Sequence, residues 1–140
     1  YDQIIFTHQT AQWIKGMPKN FHIAYPDTLA NYRRWSAAFS KEYIGSLLHE
    51  GLTDVETSFF EANLSAAISA AEKYDVPLYC SEYGVIHQAD LESTLHWYQT
   101  ISAVFEKHHI GRAAWTYKEM DFGLTDAEAF PVMQKVLPLL

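Results

Sequence analysis

Apolar positions recur along the chain in blocks, and the blocks have different periods. From Val55 onward, Phe59, Phe60, Leu64, Ile68 and Ala71 return every three or four residues as far as Tyr74, a spacing that gathers them into one stripe on an α-helix. Thr53-Asp54-Val55-Glu56 precedes this stripe and matches a capping box, in which the Thr oxygen and the Glu carboxylate each satisfy a free backbone N–H. Asp75-Val76-Pro77 then stops the helix, because the residue before a proline is pushed out of helical backbone. Leu78-Tyr79-Cys80 is a short apolar run that reads as a buried strand, ending at Ser81-Glu82-Tyr83-Gly84. A second helix starts near Asp90 with Leu91, Leu95, Tyr98, Ile101 and Phe105 on one side. Lys107, His108 and His109 lie towards its C-terminus, where positive charge suits the helix dipole.

After a turn at Ile110-Gly111, Arg112 to Tyr117 is expected to be the next strand, followed by a loop through Lys118 to Gly123. Thr125-Asp126-Ala127-Glu128 is another capping box, and Pro131 fits the first turn of a last helix. Residues 3–26 show little helical period and contain the breaker cluster Gly16-Met17-Pro18-Lys19-Asn20, which predicts a long functional loop. From Asp27, a capping residue, Tyr32, Trp35, Phe39 and Tyr43 predict a further helix. The order helix, strand, helix, strand, helix is that of parallel α/β units. Periodicity alone leaves a closed barrel and a doubly wound open sheet both standing.

Size sharpens the picture. A (β/α)8 barrel typically takes about 250 residues, whereas this chain has 140, so a barrel reading requires an incomplete barrel or an association. The start, Tyr1-Asp2-Gln3, carries neither initiator Met nor signal peptide, and the expectation is a chain that begins mid-protein. A formal charge of −7 with only ten Lys and Arg argues against a phosphate-backbone partner. No apolar run approaches the ~18 residues of a membrane span. The single cysteine, Cys80, excludes an internal disulfide or a zinc–cysteine cluster and reads as a small buried side chain. Among seven histidines, His108-His109 are adjacent, His22 and His49 stand alone, and no His-Glu-x-x-His occurs, so no metal is expected. Twenty-one aromatic side chains, four Trp, nine Tyr and eight Phe, exceed what a small core needs; they pack, or they offer flat faces to sugar rings.

Glu82 carries the most chemical information, because a carboxylate directly after a buried strand lies at the strand's C-terminal end, where barrel enzymes assemble their active sites. The structural alternative is a salt bridge or a cap for the next helix. The surrounding segment, Val76-Pro77-Leu78-Tyr79-Cys80-Ser81-Glu82-Tyr83-Gly84-Val85-Ile86, resembles the seventh-strand motif of glycoside hydrolase family 5: apolar strand, small residue, Glu, aromatic, Gly. Ser81 stands where Gly is commoner and Tyr83 where Phe is commoner. Trp115 resembles the Trp at the end of strand eight, with Phe122-Gly123-Leu124 after it, and Phe6-Thr7-His8-Gln9 with Trp13 resembles the loop after strand six. Tyr1 resembles the last residue of that strand's His-x-Tyr motif.

The resemblance implies the C-terminal part of a single (β/α)8 TIM-barrel catalytic domain spanning residues 1–140, with strands seven and eight, flanking helices and the loop after strand six. It implies a retaining β-glycan hydrolase, an endo-β-1,4-glucanase in the first instance, in which Glu82 is the nucleophile. Trp115 would floor the sugar site, and His8, Gln9, Trp13 and Tyr1 would contact sugar or hold the nucleophile. No cofactor is implied, and secretion or periplasmic export is. The proton donor of this family lies in an Asn-Glu pair after strand four; no Asn-Glu dipeptide occurs here, so the fragment alone is expected to be inactive. Its expected partners are a β-glucan and either the missing N-terminal half of the barrel or a second copy, since unpaired strand edges recruit partners. The alternative is a noncatalytic carbohydrate-binding or structural half-barrel.

Overall fold

The computed structural model describes residues 24–36 and 51–140, the side chains of positions 35 and 36 apart. The expected residues Tyr1, His8, Gln9 and Trp13, the breaker cluster, His22, His49, Phe39 and Tyr43 lie outside the described residues. The elements, in chain order, are α1 (Leu29–Ser36), α2 (Thr57–Tyr74), β1 (Tyr79–Tyr83), α3 (Leu91–Lys107), β2 (Gly111–Ala114), α4 (Phe130–Val136) and a closing 3-10 turn (Leu137–Leu139). β1 and β2 pair in parallel, joined by the crossover helix α3. The helix-strand-helix-strand-helix order read from periodicity is therefore the one observed.

Local chemistry explains where the helices start and shows where the capping-box readings fail. α1 begins one residue later than Asp27 would set: the Thr28 hydroxyl accepts the Asn31 N–H at 3.2 Å, while Asp27 holds the Asn31 side chain at 2.9 Å. At α2 the cap is Asp54 rather than Thr53, because one oxygen of Asp54 accepts the N–H groups of both Glu56 and Ser58 at 2.9 Å. Glu56 makes no side-chain cap, and the Thr53 hydroxyl instead donates to the second Asp54 oxygen at 3.0 Å. The second expected box, at Thr125, does not form either. The Thr125 hydroxyl donates to the Tyr117 carbonyl at 2.7 Å, and α4 starts later, at Phe130 with Pro131 in its first turn. α3 does begin at Asp90, whose carboxylate accepts the Ser93 N–H at 2.8 Å. α2 ends as expected, with Asp75 in left-handed backbone at φ 52°.

Asp54 illustrates what such a cap contributes. Burial alone would raise its carboxyl pKa, but the N–H of Ser58, the Thr53 hydroxyl and the N–H of Glu56 outweigh that and hold it below its ordinary value. A carboxyl depressed on folding adds stability that is present above its unfolded pKa and is lost as pH falls through the folded value. Asp54→Ala is therefore expected to cost about 1 kcal/mol near neutral pH. Urea unfolding should show the gap between wild type and variant closing below about pH 4.

The core is largely aromatic. Phe59, Phe60, Tyr83, Trp97, Tyr98 and Phe105 are all buried, and Tyr83 lies at the centre of the group. Its ring stacks on Trp97 at 6.3 Å and meets Phe105 edge-on at 5.1 Å and Tyr98 at 5.9 Å. On α3 the expected Tyr98, Ile101 and Phe105 are buried, but the buried face is wider than expected and excludes its first residue. Trp97 and Val104 are buried, whereas Leu91 is 42% exposed and Leu95 only partly covered. The segment before α1 joins this core through Tyr25, whose N–H donates to the Ser93 hydroxyl at 2.8 Å, and Tyr32, whose hydroxyl donates to the Ala24 carbonyl. Arg112 ties β2 to the last turn of α3 by an ion pair with Glu106 at 2.8 Å and to the closing 3-10 turn by a hydrogen bond to the Leu139 carbonyl at 3.0 Å.

β1 departs from the buried strand that its apolar run predicts. Tyr79 is 67% exposed, Cys80 is half-buried rather than buried, and only Tyr83 is enclosed. The physical reason is that the rings of Trp97, Tyr98 and Phe105 on α3 enclose Tyr83 alone, leaving Tyr79, Ser81 and Glu82 exposed. β2 is also shorter than expected. It ends at Ala114 because the carbonyls of Thr116 and Tyr117 accept the N–H groups of Leu124 and Thr125 at 2.9 and 3.1 Å instead of extending the ladder to β1.

Candidate active site

Glu82 is the penultimate residue of β1, at the C-terminal end of the parallel pair, and its side chain is exposed. Its presentation depends on an irregularity. Cys80 pairs with Arg112 and Tyr83 with Ala114, so Ser81 and Glu82 together oppose the single residue Ala113. This is a β-bulge, in which an extra residue bends the strand and re-aims a side chain. In an unbroken strand, residues three apart point to opposite faces. Here Cys80 and Tyr83 both pack against the helix-side core, and the bulge leaves both Ser81 and Glu82 exposed.

Trp115 directly follows β2 at the same end of the sheet. Its N–H donates to the Tyr83 carbonyl at 2.7 Å, which places the backbone of Trp115 beside the residue after Glu82. The indole is 38% exposed, so it is neither a core side chain nor a free one. The Trp115-Thr116 peptide bond is cis. Gly84 lets these segments approach: a Cβ there would run into the Trp115 carbonyl oxygen. Among the described residues no hydrogen bond or ion pair engages the Glu82 carboxylate. The structure thus brings Glu82 and Trp115 to one end of one sheet, the pairing that the sequence predicts. Among the described residues it does not supply the salt bridge or helix cap of the structural alternative.

Cys80 sits below this end, its thiol donating to the Glu82 carbonyl at 3.3 Å, and burial pushes its pKa up. Burial likewise raises the Tyr83 hydroxyl, opposed by the nearby Arg112 guanidinium. No cluster of metal-ligating side chains occurs among the described residues. Sequence reasoning missed His87, which links the loop after β1 to the loop after β2 through bonds to Asp121 and Gly123. Its partners are more than 30 residues away, beyond the reach of any local pattern.

No protein-family model matches the chain. Solved structures do. An endo-β-1,4-glucanase described as hyperthermophilic and in complex with substrate aligns over 99% of this chain and 37% of its own, with a TM-score of 0.62 and 21% identity. The endoglucanase Cel5A of Thermotoga maritima aligns over 100% of this chain and 37% of its own, with a TM-score of 0.61 and 21% identity. Fold and site together define the C-terminal part of a (β/α)8-barrel, which removes the open doubly wound sheet left standing by periodicity. Among curated sequences, Endoglucanase C of Acetivibrio thermocellus is 31% identical over 141 aligned residues, and Cellodextrinase A of Ruminococcus flavefaciens is 37% identical over 114. The first match covers 100% of this chain and 40% of that protein; the second covers 80% and 26%. These matches are consistent with the C-terminal part of a glycoside hydrolase family 5 barrel, the family that the sequence resembles. The chain spans well under half the length of these relatives.

Proposed function

We propose that these residues supply the nucleophilic half of a retaining β-glycan hydrolase acting on β-1,4-glucan, with Glu82 attacking the anomeric carbon and Trp115 lying beneath the sugar ring. The observation that carries this reading is the bulged strand end, which leaves an exposed carboxylate without a protein partner among the described residues, at the same end of the sheet as the partly exposed Trp115. The relatives' names, endoglucanase and cellodextrinase, support the substrate class.

In a retaining mechanism two carboxyl groups stand about 5 to 5.5 Å apart. Glu82 attacks to form a covalent glycosyl-enzyme while the second group protonates the departing oxygen. The second group then takes a proton from the water that releases the sugar. With no Asn-Glu pair in the sequence, the second carboxyl comes from elsewhere in a complete barrel. His8, Gln9, Trp13 and Tyr1 are assigned to sugar contacts and to holding Glu82, and export from the cell belongs to the same proposal. The 140 residues alone are expected to show no hydrolysis of a soluble cellulose derivative above a buffer control, and joined to the preceding barrel half they are expected to be active.

The direct test is to trap the intermediate. A complete barrel containing these residues, incubated with a 2-deoxy-2-fluoro-cellobioside bearing a good leaving group, should be inactivated with one sugar attached to the peptide that carries Glu82. A label on a different carboxylate, or turnover with inverted product, would overturn the assignment. The noncatalytic alternative predicts sugar binding by the complete barrel with neither label nor hydrolysis.

A further inference from the structure

We infer that His87 is a positioning residue for the sugar platform, a clamp that fixes the loop after β2, and with it Trp115, against the strand end bearing Glu82. This inference rests on the function proposed above for Glu82 and Trp115.

The loop from Thr116 to Asp126 is held at its base by the two backbone bonds from Leu124 and Thr125 to Thr116 and Tyr117, described above. Beyond that base it runs through three consecutive non-glycine residues in left-handed backbone, Glu119, Met120 and Asp121, at φ 66°, 61° and 61°. Such residues are disfavoured because Cβ crowds the carbonyl, and they persist where surrounding contacts over-determine them. Two anchors do so here. From within the loop, an Asp126 carboxylate oxygen accepts the Glu119 N–H at 2.9 Å, and Gly123 leaves room for this, since a Cβ there would strike that oxygen. From outside the loop, the anchor is His87. Its backbone N–H donates to the Asp121 carbonyl at 2.8 Å, and its Nε2 lies 3.1 Å from the Gly123 carbonyl.

A carbonyl only accepts, so Nε2 carries the proton in that bond. The same nitrogen stands 4.0 Å from the Asp126 carboxylate, so one ring engages both the loop backbone and the side chain that orders it. His87 follows Glu82 by five residues, through the buried segment Gly84–Ile86. The clamp therefore ties the platform loop to the segment that leads out of the nucleophile strand. Its imidazole is well covered, with 14% of the side chain exposed, and its bonds satisfy loop groups rather than sugar.

The experiment uses a complete barrel carrying these residues, labelled with 5-fluorotryptophan, with the Trp115 signal assigned by Trp115→Phe and the Trp97 signal kept as a fold reference. His87→Leu removes the ring donor and is expected to shift or broaden the Trp115 resonance without sugar present, leaving that of Trp97 in place. KM for cello-oligosaccharides should rise about tenfold, within the range that small misplacements cost, and kcat should fall by much less. His87→Gln places an amide donor near the Nε2 position and should restore both readouts. Asp126→Ala releases the same loop from within and should reproduce the rise in KM. An unchanged Trp115 signal and KM in His87→Leu, or no recovery in His87→Gln, overturns the clamp. If His87→Leu loses the Trp97 reference, Asp126→Ala decides, and an unchanged KM there is equally fatal. Fluoro-sugar trapping on the same preparation separates the two proposals: a label away from Glu82 defeats the nucleophile assignment, while the sugar-free Trp115 signal still judges the clamp.

Discussion

Glu82→Gln in a complete barrel is expected to abolish hydrolysis of cello-oligosaccharides, with kcat falling by at least about 10^4-fold, the scale on which loss of a covalent nucleophile acts in other hydrolases. The substitution keeps the shape of the side chain and removes only the charge and its nucleophilic oxygen. Because the Glu82 side chain is exposed and its carboxylate engages no described partner, its replacement should leave stability within about 0.5 kcal/mol of wild type. Activity and folding therefore separate cleanly in this variant. Glu82→Gly with added azide extends the test, since a small external nucleophile entering the vacated space should yield a glycosyl azide of inverted configuration. Near-normal turnover by Glu82→Gln at unchanged stability would remove Glu82 from the chemistry.

The largest effect on stability is expected at Trp97. Its side chain is 1% exposed and touches the rings of Phe60 at 5.6 Å, Tyr83 at 6.3 Å and Tyr98 at 5.4 Å. Truncation to Ala leaves a cavity that these rigid neighbours fill poorly, and the expected cost is about 3 to 5 kcal/mol. Urea unfolding of the complete barrel should register it as a lowered midpoint. Trp97→Phe should cost much less, because it keeps most of the ring contacts and removes an indole N–H that is buried without a hydrogen-bond partner among the described residues. Equal losses in the two variants would mean that ring volume at this position does not set the stability of the core.

The order of elements and the end of β1 could be read from the chain because periodicity, prolines and the Glu82 position are local signals. Where a local signal admitted two readings, the structure took the other one. Thr53 and Asp54 are both competent caps, and Asp54 prevails by reaching two N–H groups at once. α3 carries apolar residues around more than one face, so its pattern showed that Tyr98, Ile101 and Phe105 meet the core but not that Trp97 and Val104 join them while Leu91 stays exposed. Arg112 to Tyr117 reads as one strand, yet its last residues pair with Leu124 and Thr125, a choice made by a loop of the tertiary fold. The bulge at Ser81 and Glu82 was invisible for a deeper reason: a bulge is a relation between two strands, and no single strand's sequence contains it.

That bulge also makes the aim of the carboxylate a matter of counting. With two residues of β1 set against one of β2, deleting Ser81 would leave every remaining amino acid in the same order and change the parity of the strand. Cys80 and Tyr83 would then stand two apart and share the helix-side face with no bulge between them, and Glu82, alone opposite Ala113, would take the fixed outward aim of a regular strand. At this position the spacing of the chain, as much as the identity of its acid, determines what the surrounding solvent and any bound sugar can meet.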